Sequence, residues 1–155
     1  MSTAVFLAKD IHARCNEKDA FIKYYLNLYR GWTKEQLGFD PENLEKWLME
    51  QFAVNVGEFF IVDTSEPEIA FLTFSITSHF INIYQIIGND TQKTKLIQFL
   101  IALYPQKRFY GVIRKANKAG IAYYLKKGCK IVENRLPNYD SEYYSGLEMD
   151  AETLF

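Results

Sequence analysis

The chain has 155 residues, 48% of them hydrophobic and 16% aromatic, with a formal net charge of −1. A chain of this length suits one domain that buries roughly two thirds of its unfolded surface, and so much apolar content excludes a disordered tail or linker. The near-neutral balance excludes a global field that steers the protein toward nucleic acid or an acidic membrane.

In chain order, residues Val5 to Ile11 are predicted as a first strand. Asn16 is a candidate N-cap for a helix with Phe21, Tyr24, Tyr25, Leu28 and Tyr29 at core spacing, which Gly31 interrupts. Asp40 followed by Pro41 signals a second helix, with Leu44, Trp47, Leu48 and Phe52 along one face. From Glu58 the period changes, and β-branched and aromatic runs predict an antiparallel meander of strands over Phe59 to Asp63, Ile69 to Ile76 and Phe80 to Ile87. Helical spacing returns with Leu96, Ile97, Leu100, Ile101, Leu103 and Tyr104, ended by Pro105. A strand from Arg108 to Arg114 follows, then a helix from Asn117 to Lys127 stopped by Gly128 in a left-handed cap. Strands over Cys129 to Asn134 and Tyr143 to Met149 complete the order β-α-α-β-β-β-α-β-α-β-β.

No repeat or linker divides the chain, so one domain over residues 1 to 155 is expected. Cys15 and Cys129 form no CxxC pair, which points to neither a disulfide framework nor a thiolate metal site and fits a reducing compartment. His12 and His79 have no metal-ligand partner at helical spacing, so no metal is expected. With no signal-peptide core and no run of about 20 apolar residues, a cytoplasmic protein without a membrane partner is expected.

The segment NKAGIAYYLKKGC, residues 117 to 129, resembles the GNAT acyltransferase pattern N-x-x-[AG]-x-x-[LFY]-Y-x-[KR]-x-G-F. Asn117, Gly120, Tyr123, Tyr124, Lys126 and Gly128 fall in register, and Cys129 departs from the usual aromatic. The resemblance implies an α/β (α+β) fold with a central mixed, mostly antiparallel sheet and helices on both faces. It implies acetyl-CoA as co-substrate and a small-molecule or protein amine as acceptor. Asn117 would contact the pantetheine arm, and Tyr124 would be the general acid that helps expel the thiolate. Alternatively, Tyr124 is one of eleven tyrosines and simply faces the core.

The family's Gly-rich pyrophosphate turn, [QR]-x-x-G-x-[GA], is matched here only by QIIGNDTQKTK, residues 85 to 95, with Thr91 and Lys93 where glycines are usual. The resemblance places the cofactor along Ile86, Ile87, Gly88, Thr91, Gln92, Lys93, Thr94 and Lys95, together with Asn117. In one reading the helix start still binds phosphate through its amides, helped by these threonines and lysines and by Arg114, Lys115 and Lys118. In the other, Asp90 is an ordinary N-cap and the anion site is lost. No general base is evident, since Asn82, Tyr84 and Gln85 are poor bases and Glu58 and His79 sit at strand ends. The acceptor would be set by Asn16 to Phe52 and by the loop Arg135 to Tyr143, and Glu133, Asp140 and Glu142 could attract a cationic amine.

The missing glycines leave open a binding or scaffold protein without turnover. The eight basic residues between Lys107 and Lys130, interleaved with Phe109, Tyr110, Tyr123 and Tyr124, leave a nucleic-acid-binding module as a third reading. It ranks last, because strand alternation buries many of these aromatics.

Overall fold

The structure, a computed structural model, describes residues 3–37, 40–46, 48, 50, 59–105, 107–132 and 142–149. Strand β1 (Thr3–Leu7) leads into helices α1 (Ala8–Ala13), α2 (Cys15–Leu28) and α3 (Lys34–Leu37) and a 3-10 turn at Pro41–Asn43. Strands β2 (Phe59–Asp63), β3 (Ala70–Ile76) and β4 (Phe80–Ile87) form the expected meander. Helix α4 (Asp90–Leu103) then carries the chain to β5 (Arg108–Arg114), and helix α5 (Lys118–Lys126) precedes β6 (Lys130–Ile131) and β7 (Tyr144–Met149). The seven strands lie in the order β1-β2-β3-β4-β5-β7-β6. All neighbours are antiparallel except β4 and β5, whose parallel pairing needs the α4 crossover.

Helices cover both sheet faces, so β2 and β3 are buried along most of their length and lack a clean polar alternation. On one face Ile61, Leu72, Phe74, Ile81 and Phe109 pack against Leu96, Ile97 and Leu100 of α4. On the other, Phe60, Val62, Phe71 and Ile87 pack against Phe21 and Tyr25 of α2 and against Leu37, Leu44 and Leu48. Phe21 meets Phe60 and Phe71 edge-on, with ring centroids 5.1 and 5.3 Å apart. Such pairs contribute about 1 kcal/mol each beyond the area they bury.

The sequence expectation differs from the structure at several element ends. The first strand stops at Leu7, and Ala8–Ala13 is helical. Ile11 is fully buried in the α2-side core, and Ala, Lys and Asp favour a helix over a strand. Asn16 is not a cap: α2 begins at Cys15 behind Arg14, which makes no side-chain cap bond but pairs with Glu17 at 2.7 Å. Asp40 caps as expected, accepting from the Glu42 amide, and residues 44–46, 48 and 50 are helical. Trp47 and Phe52 lie outside the described residues. The strand expected from Cys129 shrinks to Lys130–Ile131 at the exposed sheet edge; Cys129 itself is buried just before it, and Asn134 lies outside the described residues. Gly128 has φ +91°, the left-handed cap expected after α5. Among the described residues, no helix is long and apolar enough to cross a membrane.

Candidate active site

Strands β4 and β5 pair only from Phe80↔Arg108 to Ile83↔Gly111, although β4 continues to Ile87 and β5 to Arg114. Each stays bonded along its other edge, β4 to β3 through Ile87 and β5 to β7 through Arg114. Their facing edges therefore part, and a cleft of about 820 Å³ opens between them. The parting coincides with a bulge. Tyr84 is an extra residue on β4, and the next amide, that of Gln85, donates to Thr73 Oγ1 at 3.0 Å. A bulge bends its strand and increases the local twist, which turns β4 at the point where pairing with β5 ends.

Helix α5 brings Tyr124 to this cleft. Its ring packs against the α4-side core and stands edge-on to Tyr123 at 5.2 Å. Its hydroxyl makes no hydrogen bond with another described residue. Burial first, then the neighbouring Tyr123, Cys129 and Tyr29, push its pKa well above the ordinary 10.0. The group is thus a proton donor at neutral pH and a poor base. Asn117 is the N-cap of α5, its Oδ1 accepting from the Gly120 amide at 3.0 Å, and its Nδ2 is a donor on the cleft wall. Glycine at 120 makes room for that carboxamide, since a Cβ there would lie 2.6 to 2.9 Å from its atoms.

The start of α4 is closed by its own side chains. Asn89, not Asp90, is the cap: Asn89 Oδ1 accepts from the Gln92 amide at 2.8 Å, and Gln92 Oε1 accepts from the Asn89 amide at 2.9 Å. Asn followed three residues later by Gln is a capping-box pattern. Gln92 Nε2 also donates to the Glu68 carbonyl at 2.9 Å, and the Lys93 amide bonds the Asn89 carbonyl. The amides of Asp90 and Thr91 are the part of the first turn outside these bonds.

The structure brings Ile86, Lys93, Asn117 and Tyr124 together on the cleft. Ile87, Gly88 and Gln92 instead line a separate recess of about 260 Å³ with Tyr24 and Asn27. Thr91 is exposed, and the Thr94 hydroxyl donates to the Asp90 carbonyl while lying 3.5 Å from the Tyr123 hydroxyl. Lys95 points away from the cleft, donating to Ser65 Oγ at 2.6 Å and pairing with buried Asp63 at 3.4 Å. Among the described lining residues Asp90 is the only carboxylate; His79 is in the exposed β3–β4 turn, and Glu58 lies outside the described residues. Glu133, Asp140 and most of the loop from Arg135 to Tyr143 also lie outside them. Among the described residues no His, Cys, Asp and Glu cluster could hold a metal ion.

Sequence reasoning gave the acceptor to Asn16 to Phe52 but singled out none of the residues there that line the cleft. Tyr25, Leu28, Tyr29 and Trp32 line it, at a spacing that reads equally well as core. Arg114 is buried there. Its Nη1 donates to the Leu37 carbonyl at 2.6 Å, and its guanidinium lies 5.2 Å from the Tyr29 ring and 4.8 Å from the Tyr144 ring. The basic run is therefore not one surface: Arg114 and Phe109 are interior, and Lys107 Nζ donates to the Thr77 and Ser78 carbonyls.

No family model and no curated protein matches the sequence. Solved structures match over nearly the whole chain. The PaiA N-acetyltransferase of Thermoplasma acidophilum, in complex with coenzyme A, superposes with a TM-score of 0.60 at 13% identity, covering 95% of this chain and 98% of that one. Apo YjaB of Escherichia coli gives 0.62 at 9% identity over 96% and 97%. Apo FdhC, a nucleotide-linked sugar GNAT, gives 0.53 at 10% identity over 99% and 89%. At these identities the likeness is one of fold: the seven-stranded, mostly antiparallel sheet is shared with these structures, one of them a GNAT.

Proposed function

We propose that this chain is an N-acyltransferase that moves an acetyl group from acetyl-CoA to a primary amine of a small molecule or protein. The observation that carries the reading is the parting of β4 from β5, with Tyr124 and Asn117 among the residues that line the cleft it makes. The CoA complex of the PaiA N-acetyltransferase, which has the same fold, supports it.

The residues present suit an acyl-CoA in part. The open edges of β4 beyond Ile83 and of β5 beyond Gly111 can bond an extended, amide-bearing pantetheine arm as they would a strand. Asn117 Nδ2 adds a donor. Lys93 and Lys126 line the same cleft and supply cations for phosphate, while the α4 start contributes the Asp90 and Thr91 amides.

In the reaction the amine nitrogen attacks the thioester carbonyl carbon, the C–N bond forms and the C–S bond breaks. Tyr124 donates its proton to the departing thiolate and regains one, through water, from the ammonium of the new amide. Its raised pKa fits a donor that stays protonated until that step. Transfer is direct, because burial pushes the Cys129 thiol up to about 11 and keeps the nucleophilic thiolate scarce.

The capping box at α4 favours a second reading, a GNAT-fold binding protein without turnover, since it commits amides that a phosphate would use. Melting with and without CoA and acetyl-CoA separates the cases: ligand at about one hundred times its Kd adds roughly 2.7 kcal/mol. A shift followed by amine-dependent thiol release supports the enzyme, and a shift without release supports the binding protein. No shift with either ligand sinks CoA binding and leaves the non-catalytic reading.

A further inference from the structure

We infer that the acceptor is a primary amine carried on a flat aromatic body, bound against the α2 side of the cleft. The inference rests on the acyltransferase reading and names its acceptor. The cleft is lined from both faces of the sheet. On the α4 and α5 face stand Lys93, Lys126, Asn117 and Tyr124, the polar side that suits the thioester donor. On the opposite face the lining is a run of rings. Trp32 stands edge-on to Tyr29 at 4.9 Å, Tyr29 lies 5.1 Å from Tyr25, and Arg114 lies against the rings of Tyr29 and Tyr144.

Two properties of this wall select its ligand. Tyr25 and Tyr29 are buried and hold their neighbours in place, while Leu28 is 48% exposed and Trp32, packed against the same core, is half-buried; both also line the cleft and leave part of their apolar surface to it. A rigid aromatic wall rewards a ring, which gains edge or offset contacts that a flexible methylene chain lacks. Among the described residues that line the cleft from this face the charged side chain is Arg114, whose planar guanidinium lies against these rings and gives an aryl group a further flat partner. An aryl group lying against Trp32 and Tyr29 leaves its aminoalkyl arm directed through the parted strands toward Tyr124. Tyr29 and Tyr124 line the same cleft.

The test uses the full chain with acetyl-CoA and three probes: phenethylamine, butylamine and spermidine. Thiol release is expected to give phenethylamine a kcat/KM at least tenfold above either other amine. Trp32→Leu, which keeps an apolar side chain but removes the ring, should erase most of that preference through KM while the Kd for CoA stays constant. Equal or better use of butylamine or spermidine, or a preference untouched by Trp32→Leu, overturns the inference. Where CoA binds but no amine is acetylated, the acyltransferase reading is what fails. The subsite is then judged by saturation-transfer NMR of phenethylamine: Trp32-dependent binding upholds it, and no binding overturns it.

Discussion

Tyr124→Phe removes one oxygen from a residue that lines the cleft and nothing else. The ring keeps its core packing and its edge-on contact with Tyr123, and the hydroxyl makes no hydrogen bond with another described residue that its loss would orphan. Removing a polar atom without stranding a partner changes stability by less than about 0.5 kcal/mol, so melting should hardly move. The kinetic effect is different in scale. A positioned general acid contributes on the order of 10² to 10⁴ in rate, and because the interaction with the thiolate forms only in the transition state, kcat should fall with KM for acetyl-CoA nearly constant. Thiol release with a saturating amine, beside a thermal melt and a CoA titration, measures all three quantities. With the hydroxyl's pKa above 10.0, the wild-type rate should also show no alkaline loss from Tyr124 below that pH. A folded Phe variant that keeps kcat within threefold of wild type refutes the assignment of Tyr124 as the acid.

Asn117→Ala should cost about 1 kcal/mol by uncapping α5 and should weaken CoA binding in calorimetry. Gly120→Ala displaces the same carboxamide but gains about 1 kcal/mol of helix propensity, so CoA affinity should fall with melting almost unchanged; equal losses in both would contradict the role of Asn117. Cys129 has a folded pKa of about 11 against an ordinary 9.0, so stability complete below pH 9 should be lost at up to about 1.4 kcal/mol per pH unit as pH rises toward 11. Urea melts of Cys129→Ala should show a flatter slope between pH 9 and 10, whatever the cost of the cavity. For Asp63, burial raises the pKa, but the Ser65 hydroxyl and amide and the Lys95 ammonium outweigh it and hold the carboxyl below 3.8. Its contribution is present above that pH and lost as pH falls through the folded value. Asp63→Asn should therefore be destabilising at pH 7 and progressively less so as pH falls below 3.8 in denaturant melts.

The fold was legible where local pattern and tertiary demand agree. The α5 segment announces itself through Asn117, Gly120 and Gly128, because a cap, a close approach and a left-handed residue each need a specific side chain or none. The meander was legible too, since Phe59 to Ile87 carries β-formers between short turns. Val5 to Ile11 misled, because Ile11 looks the same in a strand as in a buried helix, and the choice is made by the α2-side core. Asp90 is one candidate cap in the sequence, but Asn89 and Gln92 form the box, a reciprocal arrangement visible only when both partners are weighed. The parting of β4 from β5 leaves no mark in composition; it depends on the bulge at Tyr84 and on different partners at the outer edges. The aromatic wall escaped for a related reason, since Tyr25 and Tyr29 at helical spacing describe a core position and a cleft position alike.

A passage lined from both sides of a sheet also sets the kinetic grammar of any two-substrate reaction within it. Donor and acceptor can approach from opposite sides, so neither needs to vacate the site for the other to arrive. Initial-rate lines for the two substrates should then intersect rather than run parallel, as they would in a relay through an enzyme-bound acyl group. A conjugate that joins the amine to the CoA sulfur would thread the parted strands and occupy both sides at once. Its affinity should exceed that of either half by a factor on the order of 10² to 10⁴, the gain expected when the second contact becomes intramolecular.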